Sequence, residues 1–350
     1  MLRGVVQLGV YPPPHGGVQT NVVAIHERLQ ERGCDSFVIS LSRHKQSGIK
    51  NVYFPYSAVE VCSLLLKLPA NVIHMHLGGD ISNRLVALAA YVNALPGKRT
   101  VLTLHSGGYP TSPQARETRR VKMIYAVLRH FNALVGVNPE LKTFLANSGI
   151  AAERVHKIEP FPHLSRLKAG GASDPRLESF CSNKKPLLVS VGLLEPEYDL
   201  PLQFKVLRQV RETFPEAGLL MIGSGSLKDE LIRLIALEPS NERILLAGDV
   251  PHASTIEVIR RADVLLRTTL YDGDAISVRE ALQLGTPVVA TDNGMRPANV
   301  HLAPIGDADA VASQVLKILA TPRAQRVGPI GEPERDGIDE TLELYDSITG

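Results

Sequence analysis

The sequence predicts an α/β protein of two doubly wound domains, each a parallel sheet covered by helices. Three observations carry that expectation. In the first half, short apolar runs alternate with helical patterns of about 10 to 15 residues. A stretch rich in proline, glycine and charge, Ile158 to Pro186, interrupts the pattern, which then restarts. With 350 residues, 44% hydrophobic and 21% charged, the chain is long enough for two separate cores and a cleft between them. The domains are expected at 1–165 and 166–335, with a helix at about 336–348, carrying Leu342, Leu344 and Tyr345, crossing back to the first.

In order, GVVQLGV reads as the first strand, and Gln19 to Arg32 as a helix with Val22, Val23, His26 and Leu29 near one face and Gly33 as its stop. SFVISL, VIHMHLG and TVLTLHSGG are further strands, with RLVALAAYVNAL a helix between the last two. After the interruption come PLLVSVG, a helix from about Leu202 to Thr213, GLLMIGSGS and a helix following Ser226. RILLAGDV, a helix near Ser254 to Arg261, DVLLRTTL, a helix holding Glu280, and TPVVATD complete the second domain.

No apolar run reaches the ~18 residues of a membrane span, and no signal-peptide pattern is present, so a cytoplasmic protein is expected. Cys34, Cys62 and Cys181 are widely spaced and read as reduced, mostly buried thiols. The net charge of +2 conceals an asymmetry: residues 1–175 hold 20 Lys and Arg against 10 Asp and Glu, and the remainder 18 against 26. A basic first half points to an anionic partner there, against the plainer reading of uneven surface charge.

Gly16 and Gly17 lie between a strand and a helix, where backbone N–H groups and the helix end can hold an anion, or where the chain simply turns. GSGS, Gly223 to Ser226 with Gly225 between, repeats the design, but Lys228 and the lack of a downstream acid disfavour a nicotinamide dinucleotide site. His74 and His76 alternate in a strand and so share a face; with no third ligand in evident spacing they read as core or cleft-lining residues rather than a zinc site. His105 ends a strand ahead of a Gly-Gly turn, at the edge where open α/β sheets bind ligands. Ala115 to Phe131 reads as one amphipathic helix, with Val121, Ile124, Tyr125 and Leu128 inward. Its Arg116, Arg119, Arg120 and Lys122 form either a solvated face or a contact for an anionic membrane surface.

The order of these pieces resembles the retaining glycosyltransferases of family 4, also called group 1, over nearly the whole chain. The resemblance rests on Gly16–Gly17, His105, Gly223-x-Gly225, LAGDV, and an acidic motif leading into GTPVVATD, in which Asp272 and Glu280 stand as Asp-x7-Glu. It implies the GT-B fold, two Rossmann-like domains facing a central cleft. The implied reaction is transfer of a sugar, with retained configuration, from a nucleotide diphosphate sugar, UDP favoured, to a glycan, lipid-linked or phosphorylated acceptor. It implies no metal, no other cofactor and no nucleic-acid partner.

On that resemblance Glu280 would take the ribose hydroxyls and Asp272 those of the donor sugar. Backbone at Ala275, Ile276 and Ser277, with Gly17, would face the phosphates, and Gly248, Asp249 and Val250 would hold the base. His105 would contact the transferred sugar or the acceptor, and Asp274 is expected to cap the helix that follows it. The chain departs from the family where an Arg and a Lys commonly neutralise the diphosphate: here Leu193 and Tyr198 stand instead. Arg267 and Arg279, then Arg296, are the cations left to replace them. That gap keeps two alternatives open, a non-catalytic nucleotide-sugar sensor and a nucleotide-sugar epimerase or phosphorylase on the same fold.

Overall fold

The computed structural model describes residues 1–13, 16–106, 109–111, 113–159, 174–271, 275–322, 325–326 and 336–350. The chain separates into two compact units, the first holding 1–13, 17–162 and 335–350, the second holding residue 16 and otherwise lying within 163–334.

In the first unit the elements run β1 (Gly4–Gly9), α1 (Gly17–Glu31), β2 (Asp35–Ser40), β3 (Val52–Tyr53), α2 (Ala58–Lys67), β4 (Val72–Leu77), α3 (Asn83–Ala94), β5 (Arg99–Leu104), α4 (Pro113–Arg116), α5 (Thr118–Leu128), β6 (Ala133–Gly136), α6 (Pro139–Ala146) and β7 (Val155–Lys157). The strands form one sheet in the order β3-β2-β1-β4-β5-β6-β7, parallel throughout. β1 and β4 are buried along their whole length, their polar residues Gln7, His74 and His76 included. The strand order reverses between β1 and β4, so the loops leaving those two strands diverge and open a crevice at their carboxyl ends.

Helix α1 begins at Gly17, two residues earlier than its apolar pattern indicated, and buries Asn21, Val22, Ile25, His26 and Leu29, whereas Val23 is only half-buried. The amphipathic segment beginning at Ala115 is two helices, parted at Glu117. Arg120 does not belong to an exposed basic face: it is half-buried and donates through Nη2 to the Ile81 carbonyl at 2.7 Å, while Arg116, Arg119 and Lys122 are exposed. Cys181 is buried, but Cys34 and Cys62 are half-buried, less enclosed than expected.

The second unit runs α7 (Pro175–Asn183), β8 (Leu187–Val191), α8 (Leu200–Thr213), β9 (Gly218–Ile222), α9 (Lys228–Leu237), β10 (Ile244–Gly248), α10 (His252–Arg261), β11 (Val264–Arg267), α11 (Ile276–Gln283), β12 (Val288–Thr291), β13 (His301–Ala303) and α12 (Ala308–Ala320). Its parallel sheet has the order β10-β9-β8-β11-β12-β13, reversing between β8 and β11. Residues 175–183, which composition placed in the connection, form α7 instead; Asp174 caps it, and Leu177 and Cys181 pack against Leu187 and Val189 of β8. The last helix, α13 (Gly337–Thr349), rejoins the first unit, where Ile338, Leu342, Leu344 and Tyr345 pack with Val5, Val72, Val101 and Val135 beneath the sheet.

Candidate functional site

In the second unit, the crevice at the β8/β11 reversal holds a cation. Arg267 ends β11 with 6% of its surface exposed, and its Nη1 donates to the Val191 carbonyl at the end of β8 (2.9 Å). Its guanidinium lies over the Tyr198 ring, 4.6 Å from the centroid. A desolvated arrangement of this kind contributes on the order of 2 kcal/mol. Tyr198 is thus the residue that holds a cation, at the position where the resemblance calls for one. Its own backbone is fixed, because Thr268 Oγ1 donates to the Tyr198 carbonyl at 2.8 Å and the Leu270 amide donates to Glu197 O at 2.8 Å.

Helix α11 enters the same strand ends. Ser277 Oγ donates to the Val191 carbonyl at 3.2 Å, so the helix start and Arg267 share one anchor. The N-cap position is Ala275, whose side chain makes no capping hydrogen bond. The first-turn N–H groups at Ala275, Ile276 and Ser277 are those a helix leaves for an anion. Asp272 and Asp274 lie outside the described residues. Glu280, one turn further on, is 3% exposed and takes a 2.7 Å hydrogen bond from Nε2 of His252, the first residue of α10. Arg279 is half-buried beside it on α11. Arg296 is committed to neighbouring strand ends, donating to Thr291 O at 3.0 Å and Thr269 Oγ1 at 2.6 Å.

Gly223 and Gly225 have a packing reason to be glycine. A Cβ on Gly223 would fall 1.8 Å from Gly192 O, and one on Gly225 2.4 Å from Leu194 O, because the loops after β8 and β9 run together. Gly192 and Leu194 donate to Ile222 O and Ser224 O, and Gly223 N donates to Gly248 O, so the Gly-x-Gly turn and the LAGDV loop are laced into one surface. There Ser224 Oγ reaches both oxygens of the exposed Asp249 at 2.9 Å, Val250 is buried, and Ser226 donates to Glu195 through its amide at 2.9 Å.

In the first unit, Gly17 opens α1 with Gly16 immediately before it in the chain, and His105 follows β5 with its amide on Leu77 O at 2.7 Å. His105 is half-buried and stacks on His76 (centroids 5.4 Å, 28° between planes), Nε2 to Nδ1 at 3.2 Å. His74 and His76 do share a face, 3.9 Å between centroids, and both are buried among polar partners. His76 Nε2 meets Gln7 Oε1 at 2.5 Å, His74 Nδ1 meets the Tyr345 hydroxyl at 2.5 Å, and His74 Nε2 meets Thr103 Oγ1 at 2.7 Å. Burial pushes His74 and His76 well below the ordinary imidazole range, with neighbouring rings adding to it, and takes His105 down to about 3. Among the described residues no group of three or more His, Cys, Asp or Glu is placed to hold a metal ion, and no helix is long and apolar enough to cross a membrane.

His252, Gly192, Gln7 and Tyr345 were not singled out for a site from sequence. Their contacts join residues far apart in the chain, so no local spacing announces them. The one signal available was position: His252 stands two residues beyond Val250, at a helix start.

Known proteins with related sequences and folds bear on this geometry. The family described as Glycosyl transferases group 1 matches residues 177–327, and Glycosyltransferase Family 4 matches 15–166. A 2-deoxystreptamine glucosyltransferase of Streptomyces kanamyceticus is 23% identical over 254 residues, 69% of this chain and 65% of that protein. The phosphatidylinositol N-acetylglucosaminyltransferase GPI3 subunit of Saccharomyces cerevisiae is 20% identical over 312 residues, 81% of this chain and 67% of its own. The chain therefore spans about two thirds of the length of these relatives. Among solved structures, Anabaena HepE in complex with UDP and glucose superposes with a TM-score of 0.71 at 14% identity, covering 99% of each chain. A glycosyltransferase from Rickettsia africae gives 0.65 at 14% identity, again over 99% of each. With two parallel-sheet units of reversed strand order, and a family match on each half, the chain belongs to the group 1, family 4 glycosyltransferases and has the GT-B fold.

Proposed function

We propose that this protein is a retaining glycosyltransferase that moves a sugar from a nucleotide diphosphate sugar, preferentially a UDP-sugar, to a hydroxyl of a glycan, lipid-linked or phosphorylated acceptor. The observation that carries the reading is Arg267, buried against Tyr198 at the β8/β11 reversal and sharing the Val191 carbonyl with the start of α11. A guanidinium and helix-start amides converging on one strand end suit a diphosphate, whose negative charge grows as the glycosidic bond breaks. UDP in the HepE complex supports the choice of base. The excess of Lys and Arg in residues 1–175, with Arg116, Arg119 and Lys122 exposed, supports an anionic acceptor or membrane face for the first unit.

In this reading Glu280, held by His252, accepts from the ribose hydroxyls, and Asp272 from hydroxyls of the donor sugar. The Gly248–Val250 segment takes the base, the Gly223–Gly225 turn shapes its floor, and Gly16 and Gly17 approach the phosphates. His105 meets the transferred sugar or the acceptor. Arg267 and the α11 amides, with Arg279 nearby in sequence, stabilise the departing diphosphate. That oxygen takes the acceptor's proton on the same face, so the protein needs no nucleophile of its own and supplies orientation and charge. Positive charge is then furnished by side chain and backbone, and turnover is expected to persist in a chelator.

The test is to incubate the protein with UDP-, GDP- and ADP-sugars and acceptor extracts, follow diphosphate release, and assign the anomeric configuration of the product by NMR. Acceptor-dependent UDP release with retained configuration is expected. Tight nucleotide binding without turnover on any donor overturns the reading in favour of a sensor; epimerised donor without transfer overturns it in favour of an epimerase.

A further inference from the structure

A continuous chain of polar groups runs from His105, at the edge of the first unit's sheet, to Tyr345 on the last helix. It is unusual in that each member can be assigned a donor and an acceptor. The Gln7 carboxamide donates through Nε2 to the Tyr345 hydroxyl at 3.1 Å, which leaves its oxygen against His76 Nε2. A carbonyl oxygen only accepts, so His76 carries its proton on Nε2. His76 is 4% exposed and held neutral by burial, so its Nδ1 is bare, and the group 3.2 Å away, His105 Nε2, must donate to it. A neutral His105 protonated on Nε2 presents an unprotonated Nδ1. On the other arm, the Tyr345 hydroxyl accepts from Gln7 and donates to His74 Nδ1, and His74 Nε2 donates to Thr103 Oγ1.

We propose that Tyr345 and Gln7 are positioning residues which, acting through His76, fix the tautomer of His105 so that its Nδ1 is an obligatory hydrogen-bond acceptor for a hydroxyl. A Gln7 amide turned end for end would reverse every donor along the chain and leave His105 with a proton on Nδ1. The Tyr345 hydroxyl is what ties the amide: a phenol gives its proton to a basic imidazole nitrogen more readily than to an amide oxygen, so with His74 Nδ1 at 2.5 Å it turns its lone pair to Gln7. The helix carrying Tyr345 is therefore wired to the edge of the sheet where His105 stands, although the two are 240 positions apart in the chain. The identity of the hydroxyl as a sugar's or an acceptor's rests on the function proposed above; the tautomer assignment does not.

The experiment is 15N NMR of the full-length protein labelled at histidine, in which bare and protonated ring nitrogens differ in chemical shift, with His105→Gln identifying the His105 signals. The wild-type protein is expected to show His105 in one neutral form, protonated at Nε2. In Tyr345→Phe and in Gln7→Met the bias between tautomers should fall by about tenfold, the net worth of roughly one hydrogen bond, giving a detectable mixture. A wild-type His105 protonated at Nδ1, or one indifferent to Tyr345→Phe in a protein with unchanged far-ultraviolet circular dichroism, overturns the proposal. Loss of glycosyl transfer alone does not, since the spectra are read without substrate. If both proposals hold, Tyr345→Phe lowers kcat and leaves the KM for the nucleotide sugar unchanged.

Discussion

Gly192→Ala should disable the diphosphate site proposed at Arg267 without replacing a charged group. A Cβ on Gly192 would stand 2.3 Å from Tyr198 Cε1, 2.9 Å from Cδ1 and 2.8 Å from Arg267 Nη1. Since non-bonded carbons settle at about 3.5 Å or more, the ring must retreat by roughly 1 Å and the guanidinium by roughly half that. Tyr198 cannot yield through its backbone, which is fixed by Thr268 and by the Leu270–Glu197 pair, so its side chain rotates and the stack opens. The 2.9 Å bond from Nη1 to the Val191 carbonyl goes with it. A misplaced cation forfeits its charge-assisted bonds to phosphate, on the order of 1.5 to 3 kcal/mol, or roughly 10- to 150-fold in affinity. Calorimetry with UDP and with uridine isolates that loss: the uridine constant should hold while the UDP constant falls, with GDP and guanosine run in parallel to allow for a different base. Tyr198→Ala added to Gly192→Ala removes the clash with the ring, leaves room for the guanidinium to settle, and should restore part of the difference. An unchanged UDP-to-uridine ratio in a folded Gly192→Ala protein would refute the placement of the diphosphate at Arg267.

Glu280→Ala should lower uridine affinity by about 2 kcal/mol or more and abolish discrimination against 2′,3′-dideoxyuridine, by calorimetry; retained discrimination removes the ribose assignment. Gly223→Ala, whose new methyl would sit 1.8 Å from Gly192 O, should cost about 3 kcal/mol or more in urea unfolding. An unperturbed midpoint would show that the two loops can part. Stability should also depend on pH below neutrality. His74 and His76 titrate well below 6.5 in the fold, so as the pH falls the unfolded chain takes up protons that the folded one refuses. Their contribution is fully present above about 6.5 and is lost on the way down to the folded values, at about 3 kcal/mol per pH unit for the two together. Urea unfolding at pH 7.5 and 5.5, followed by circular dichroism, should show that decline; equal stabilities would mean the pair takes up protons without resistance.

Much of the fold could be read from the sequence because a parallel sheet hides both faces of its strands. β9 therefore appears as a bare apolar run between helical periods, and β1 and β4 as apolar runs broken only by Gln7, His74 and His76. The short edge strands β3 and β13, two and three residues long, left no such trace. Within the site, Arg267 was legible as a cation near the acidic motif, and Glu280 by its spacing. Tyr198 was read as an absence, since the sequence shows that a lysine is missing but not that a ring in its place seats an arginine from a strand 69 residues later. The turn glycines 223 and 225 carried a signal that two causes share: close approach of a phosphate and close approach of a neighbouring loop both forbid a Cβ, and only the coordinates reveal Leu194 and Gly192 against them. The histidine pair in β4 was legible as sharing a face, but its partners come from β1, β5 and α13, so its place in a network was not.

The position of α13 has a consequence for the order in which the molecule is made. Ile338, Leu342, Leu344 and Tyr345 close the layer under the first sheet, yet they leave the ribosome only after the whole of the second unit. While that unit is being synthesised, Val5, Val72, Val101 and Val135 lack their apolar cover, and Gln7 and His74 lack the hydroxyl that joins them. The second unit, which apart from residue 16 lies within 163–334, meets no such delay. The half of the chain that emerges first is thus the half completed last, and a nascent chain halted before residue 336 should expose the underside of its first sheet to chaperones.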